Sequence, residues 1–541
     1  MMAGRRSVCV GAGAAIASGI LGAGPACADD ATVRIGQGAL RGQASGGVLA
    51  FKGIPYAAPP VGKLRYRSPE PGVPWDGVRD ATMAGAASIQ TLGGAAAWLY
   101  ESAQPQSEDC LYLNVWTPGL DGRRPVMVWL HGGAWRTGHG AVVGTNGTAL
   151  VARGDVVVVT LNYRLGALGW LAHPDLRDPE TGAFANWGLQ DQIAALRWVA
   201  ANIAAFGGDP ANVTLFGQSA GGSSTASIVQ NPDNAGLAHK AIIESGSLHG
   251  APAFPEPATA AAYAEALAQR LSTSVAGLRD VPAQHLHDTE LALSRDPALV
   301  RRLGRAPVLP VRDGIVLKEW PRDAALPPIP LLIGTTRDEG VFWFDLIGPD
   351  GHLVPGLKPP ADQAQLVSMT ADLTAIYQPE SKAAPGSVVA RYQQDAVSRG
   401  EPTDPRSVFI SLYTDAVFRL RALAYAQRHA GAGNPTFLYE FAHPLAPPAH
   451  GTPHTAEIPF VFATYADPFF ADKVGHGDAG ARVSTLMLDS WASFARMGVP
   501  AAGWARMEPD GSNVNVLGAP GVLHSVTASV RPGQLAAWKS A

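Results

Sequence analysis

The segment that most constrains this chain is Gly217-Gln218-Ser219-Ala220-Gly221. Its setting gives it weight. The apolar, β-rich run Val213-Thr214-Leu215-Phe216 leads straight into Gly217, and Ala220 to about Val229 continues with helix-compatible residues. A serine between two glycines at a strand-to-helix turn is lifted out of the sheet, with the helix start beneath its hydroxyl. Glycines on both sides let neighbouring backbone approach, and the helix N-terminus offers N–H groups and a positive dipole end to a developing oxyanion. Elsewhere a Gly-x-Ser-x-Gly string is a common loop; here it marks Ser219 as a candidate nucleophile.

The surrounding pattern supports a sheet that such a turn could close. Val126–Leu130 and Val156–Thr160 are continuous apolar runs, the form taken by parallel strands covered on both faces. From Leu189 to Ala205 the apolar residues Ile193, Leu196, Trp198, Val199 and Ile203 recur at helical spacing. Ala241-Ile242-Ile243, Pro328 to Gly334 and Thr436–Phe441 read as further strands, and Val483–Met497 as a late helix. This succession predicts an α/β protein with a doubly wound, mostly parallel central sheet and helices on both faces. The stretches at about 255–325 and 356–432 read as helical insertions, placed as a cap over the carboxyl edge of the sheet.

A second motif, His131-Gly132-Gly133-Ala134-Trp135, directly follows the Val126–Leu130 strand. Glycine-rich backbone here can aim the N–H groups of Gly133 and Ala134 into a pocket shared with the N–H of Ala220, a three-donor oxyanion hole. It precedes the serine turn, as the chain order of an α/β-hydrolase fold demands.

Composition narrows the class of partner. The chain has 541 residues, is 47% hydrophobic and 16% charged, and carries a formal net charge of −4. It can bury a large core, and it has no basic block or Arg/Lys stripe of the kind that binds nucleic acid. Arg5-Arg6, a small apolar run from Ser7 to about Gly24 and Ala26-Cys27-Ala28 predict a signal peptide over residues 1–28, by the general or the twin-arginine route, and a periplasmic or secreted protein. Residues 29–541 are then one domain, without a membrane span, and Cys110 is their single cysteine.

Several longer blocks resemble the type-B carboxylesterases, the group of para-nitrobenzyl esterases, liver carboxylesterases and cholinesterases. They are Phe51-Lys52-Gly53-Ile54-Pro55-Tyr56-Ala57, Leu64-Arg65-Tyr66, Glu108-Asp109-Cys110-Leu111-Tyr112-Leu113-Asn114-Val115, Asn162-Tyr163-Arg164, Gly188-Leu189-Gln190-Asp191-Gln192 and Phe206-Gly207-Gly208-Asp209-Pro210. The resemblance runs from about residue 32 to the C-terminal end and is loose in the cap. It implies a Ser-Glu-His triad that forms an acyl-enzyme and needs no metal or organic cofactor. In Arg337-Asp338-Glu339-Gly340 the two acids are equal candidates by composition, and the resemblance selects Glu339. Of the seven histidines after it, His454 heads a string, His-x-x-Glu457-Ile458-Pro459-Phe460-Val461-Phe462, that is similar to the family's histidine loop. His450 is the nearest rival. Ser245 matches a serine that supports the triad in relatives.

The resemblance also exposes departures. Cys110 pairs with an upstream cysteine in exported relatives, and the matching position holds Ser88, so residues 85–107 are expected to form an unpinned, mobile loop over the pocket. Gln218 stands where glutamate is common. A carboxylate beside the imidazole would favour cations, so its absence argues against choline esters. Ala134 and Trp135 replace the more usual Gly and Phe. Arg136, at a position that lines the pocket entrance in cholinesterase relatives, is expected to favour anionic esters unless it is a solvated surface residue. Trp98, Trp135, Phe342, Trp343 and Phe344 are candidates for an aromatic wall around a bulky small-molecule ester. A lipase, a carbamate, amide or toxin-ester hydrolase on the same triad, and a non-catalytic cholinesterase-like binding module are the alternatives. The expected state is a monomer or weak homo-oligomer.

Overall fold

The computed structural model describes residues 30–93, 95–99, 104–246, 253–304, 308–475 and 477–539. The signal peptide expected over residues 1–28 lies outside them. Thirteen strands form one sheet: β1 (Asp30–Ile35), β2 (Gly38–Ser45), β3 (Val48–Pro55), β4 (Val78–Asp80), β5 (Tyr112–Thr117), β6 (Arg124–Leu130), β7 (Val157–Leu161), β8 (Gly208–Gln218), β9 (Lys240–Glu244), β10 (Leu331–Thr336), β11 (Thr436–Phe441), β12 (Val514–Ala519) and β13 (Val522–Thr527). Their spatial order is β1-β2-β3-β5-β7-β6-β8-β9-β10-β11-β12-β13, with β4 against β2. The central strands from β7 to β12 pair in parallel, while β1, β2, β3 and β5 on one side and β13 on the other pair antiparallel. The antiparallel margins were not foreseen from the sequence, because β2, β3 and β13 are partly exposed and lack the continuous apolar runs of the centre, although β5 is buried.

Alternation along β6 divides the interior. Val126, Val128 and Leu130 join a core with Leu189, Leu196 and Val199 of the helix Trp187–Asn202. Met127 and Trp129 face the opposite core, with Met487, Trp491 and Phe494 of the helix Asp478–Met497. Both faces are therefore covered, which is why these strands carry no polar stripe.

The order reverses between β6 and β8: β6 leads to β7 on one side, and β8 leads to β9 on the other. The crevice at the carboxyl ends of such strands is where open α/β sheets hold ligands, and the two glycine motifs end β6 and β8. The helical insertions differ from each other. Tyr263, Leu267 and Leu286 of the first pack into the core beneath the Trp187–Asn202 helix. The second (helices Gln363–Tyr377, Pro385–Arg399, Pro405–Tyr413 and Leu420–Gly431) buries Leu366, Val389, Tyr392 and Phe409 in a core of its own. No helix among the described residues is long and apolar enough to cross a membrane.

Candidate active site

Ser219 ends β8 in a strained conformation, φ 56° and ψ −123°, immediately before the helix Ala220–Gln230. Non-glycine residues hold such angles only where surrounding structure enforces them, and these sites cluster at functional positions. The flanking glycines are obligatory here. A Cβ at Gly221 would stand 1.9 Å from the carbonyl oxygen of Leu130, and one at Gly217 would stand 2.6 Å from the backbone of Gly221. The Ser219 N–H is held by the Glu244 carbonyl at 2.8 Å, which ties the turn to β9.

The other two side chains arrive from separate strands. Glu339 follows β10, is fully buried, and accepts at one oxygen from the Ser245 hydroxyl (2.6 Å) and the Thr336 N–H (2.8 Å). Its second oxygen accepts from His454 Nδ1 at 2.6 Å. Asp338, its neighbour, points elsewhere, to the Thr452 N–H at 3.0 Å and to Arg531 at 3.3 Å. The geometry thus separates two acids that composition could not. His450 also lies apart, paired with Asp345 at 3.1 Å and half exposed.

Donation from Nδ1 to Glu339 leaves the His454 lone pair on Nε2. The Gln218 amide nitrogen lies 3.2 Å from Nε2 and 3.4 Å from Nδ1. A group nearly equidistant from both ring nitrogens rests on the ring face and leaves the in-plane lone pair free. Trp343 (4.8 Å), Phe418 (4.9 Å) and Phe342 (5.7 Å) surround the rest of the imidazole. The Ser219 hydroxyl makes no hydrogen bond among the described residues, and it shares one cleft with His454. Such contacts commonly tighten only around substrate.

The loop after β6 supplies the donors. Gly133 has φ +98°, and a Cβ there would come within 2.2 Å of the Thr137 carbonyl oxygen, so only glycine fits. Ala134 and Trp135 follow with φ 53° and 57°. The N–H groups of Gly133, Ala134 and Ala220 have no acceptor among the described residues, and all three residues flank Ser219 in the same crevice. His131 stacks on Tyr163 at 4.2 Å, and its Nδ1 donates to the Gly132 carbonyl at 2.9 Å. Burial pushes its pKa down to about 3, so this histidine is a neutral brace.

The cleft measures about 380 Å³ and is lined by Leu99, Phe342, Trp343, Pro355 and Leu357 beside Ser219 and His454, with no Asp, Glu, Lys or Arg in its wall among the described residues. Phe342 and Trp343 therefore stand where the sequence placed them; the other aromatic candidates do not. Trp98 is buried in the core that holds Met487, Trp491 and Phe494. Trp135 turns away from the cleft, donating to the Ser224 hydroxyl at 3.0 Å and packing on Trp170 and Phe254. Phe344 joins the core of the second insertion. Arg136 is neither a cleft residue nor a solvated one: it pairs with buried Glu290 at 2.8 Å, whose carboxylate also accepts the Ala167 N–H. That partner lies far along the chain and leaves no local signature.

The strap at 85–107 also departs from expectation at its base. Cys110 is free and buried, the Ser88 hydroxyl lies near enough to offset in part the burial that raises its thiol pKa, and Ser88 accepts the Leu165 N–H at 3.2 Å. Gln90 exchanges two hydrogen bonds with Gly138 (3.0 and 2.7 Å), and the Ala87 N–H donates to Pro105 at 2.8 Å. Positions 94 and 100–103 lie outside the described residues.

Two acids behind the triad were missed. Glu457, three residues after His454, and Glu244, beside Ser245, are both fully buried. Burial raises the Glu244 carboxyl to about 8 despite the Trp491 indole N–H at 2.7 Å. Burial and its acidic neighbours Glu244 and Glu339 raise Glu457 strongly. Several of the longer blocks that carried the resemblance turn out to supply braces. Arg65 holds Glu108 at 2.7 Å, and Arg164 holds Asp191 at 2.8 Å.

Known proteins share this architecture. Residues 29–538 match the model of the carboxylesterase family. The para-nitrobenzyl esterase of Bacillus subtilis (strain 168) is 35% identical over 476 residues, 86% of this chain and 89% of that protein. The phenmedipham hydrolase of Pseudarthrobacter oxydans is 34% identical, over 89% of this chain and 94% of that one. A solved carboxylesterase of Geobacillus stearothermophilus superposes with a TM-score of 0.77 at 32% identity, covering 94% of this chain and all of its own.

Proposed function

The chain belongs to the carboxylesterase family and is a serine carboxylesterase, and we propose that it hydrolyses neutral, bulky esters through an acyl-enzyme on Ser219. His454 Nε2 takes the Ser219 proton as the hydroxyl oxygen attacks the ester carbonyl. Glu339, fixed by Ser245 and Thr336, holds the imidazole in the tautomer with its Nε2 lone pair free and stabilises the imidazolium. The carbonyl oxygen, now negative, takes the N–H groups of Gly133, Ala134 and Ala220; one such donor is typically worth roughly 10²–10³ in turnover. His454 returns the proton to the alcohol oxygen as the ester C–O bond breaks. Water then attacks the acyl carbon by the same route and frees the acid.

The observation that carries the substrate reading is the aromatic-sided wall of the cleft, free of Asp, Glu, Lys and Arg among the described residues. It supports the bulky arm of the expectation over the anionic one, because Arg136 is already neutralised by Glu290. A carboxylate buried in this wall would lack a partner, at a cost of several kcal/mol. The test is kcat/KM for p-nitrophenyl benzoate against the hemisuccinate of equal reach, with Ser219→Ala as the blank. Benzoate is expected to lead by at least about 30-fold (about 2 kcal/mol), with the ratio unchanged in Arg136→Ala; parity of the two esters would overturn the reading.

We also propose export, supported by the Arg5-Arg6 start, the apolar run and the Ala-x-Ala end alone. Amino-terminal sequencing of protein from the cell envelope should begin at Asp29; an uncut chain confined to the cytosol refutes it.

A further inference from the structure

Away from the cleft, the second insertion holds a cavity of about 330 Å³ between the end of the helix Gln363–Tyr377, the start of the helix Leu420–Gly431 and the loop at Arg322. Three guanidinium groups border it. Arg428 is committed to backbone carbonyls, those of Arg322 and, at 2.8 Å, Ala324. Arg322 leans on Asp323 at 3.3 Å and on Glu380 at 3.8 Å, both well exposed.

Arg421 is different. It is half-buried, lies over the Tyr377 ring at 5.6 Å, and has neither a carboxylate nor a carbonyl acceptor among the described residues. The buried arginines elsewhere set the contrast. Arg65 holds Glu108, Arg164 holds Asp191, and Arg419, two residues before Arg421, holds Asp415 and Glu440. Burial and the nearby Arg322 push the Arg421 pKa down to about 10, as befits a cation short of a counter-charge. A planar fork of five N–H donors is shaped for a carboxylate or phosphate oxygen pair.

We propose that this cavity is an anion site, in which Arg421 takes a carboxylate or phosphate group, with Arg322 alongside and the Tyr377 ring as its floor. Asp323 and Glu380 border the same cavity, which limits the occupant to one or two negative charges. The site is joined to the catalytic wall through the chain. The π-wound segment Thr414–Arg419 that leads into Leu420 carries Phe418 against His454, and π-turns inside helices recur at functional places.

The test is calorimetric titration of the full protein with inorganic phosphate and, separately, with acetate, at constant ionic strength against chloride. Saturable one-site binding with a low-millimolar Kd is expected for at least one of the two, and the arm that binds names the group. Arg421→Gln should weaken it at least tenfold while ester turnover persists; Arg421→Lys should retain part of it. At 50 mM of the bound anion the wild-type Tm should rise by about 2 °C over chloride. Absence of saturable binding of both anions by wild type, or equal binding by Arg421→Gln, would overturn the proposal.

Discussion

Replacing Ser88 by cysteine should install a covalent link that this chain lacks. Ser88 lies near enough to the Cys110 thiol to influence its pKa, and both positions are fully buried. A bond between positions 88 and 110 would close a loop of roughly 22 residues, for which the chain-entropy relation gives about 3.4 kcal/mol at 25 °C. The substitution also has a cost. The Leu165 N–H, now bonded to the Ser88 oxygen at 3.2 Å, would be left with sulfur, a weak acceptor, at about 1–2 kcal/mol. The net gain is therefore about 1.5–2.5 kcal/mol. With an unfolding entropy near 2.1 cal/mol/K per residue over roughly 510 residues, that amounts to a Tm rise of about 2 °C. Melting of oxidised and reduced Ser88→Cys, with wild type under both conditions, measures it, and peptide mapping across positions 88 and 110 verifies the link. If the link forms and oxidation leaves Tm unchanged or lowers it, the hydrogen bonds of Gln90 and Ala87 already restrain the strap fully, and the reasoning fails. If the link does not form, the closeness of the two side chains is refuted.

Removing the Ser245 hydroxyl takes one of three donors from Glu339; a hydrogen bond to a charged group is worth about 1.5–3 kcal/mol. Ser245→Ala should lower kcat by about tenfold with KM little changed, whereas a matching rise in KM alone would contradict a role in holding the acid. For Glu244 the sign is set by a carboxyl raised to about 8 in the fold. Its contribution is complete below the unfolded value near 4.3 and is lost as pH rises to about 8, at up to about 1.4 kcal/mol per pH unit. Glu244→Gln should flatten the fall of Tm between pH 5 and 8, and identical slopes would show that Glu244 ionises without penalty.

The central sheet and the turn that carries Ser219 were legible because their signals are local. Val213 to Gly221 contains strand, turn and helix start within nine residues, and the continuous apolar runs of β6 and β7 follow from burial on both faces. The choice between Asp338 and Glu339 was not local. It depends on which carboxylate reaches Ser245 and His454, so only resemblance anticipated it. The pocket wall was least legible. Trp135 is adjacent in sequence to the oxyanion loop, yet the left-handed backbone at Ala134 and Trp135 swings its ring behind that loop. Arg136 found its charge partner in a helix of the first insertion. Leu99 ends a short helix, Ala95–Leu99, and Pro355 and Leu357 come from a loop, none of them with a telling pattern.

The neutral lining of the cleft has a consequence for how the reaction ends. An ester enters without charge, but hydrolysis leaves an acid that ionises near neutral pH, well above its ordinary pKa. On the proposed preference for neutral esters, the described wall offers that new anion no Lys or Arg, only His454 and the N–H groups beside Ser219. Proton transfer away from His454 then leaves the product as the one charged group in that cleft, and weak inhibition of turnover by the carboxylate product is the outcome expected of the proposed preference.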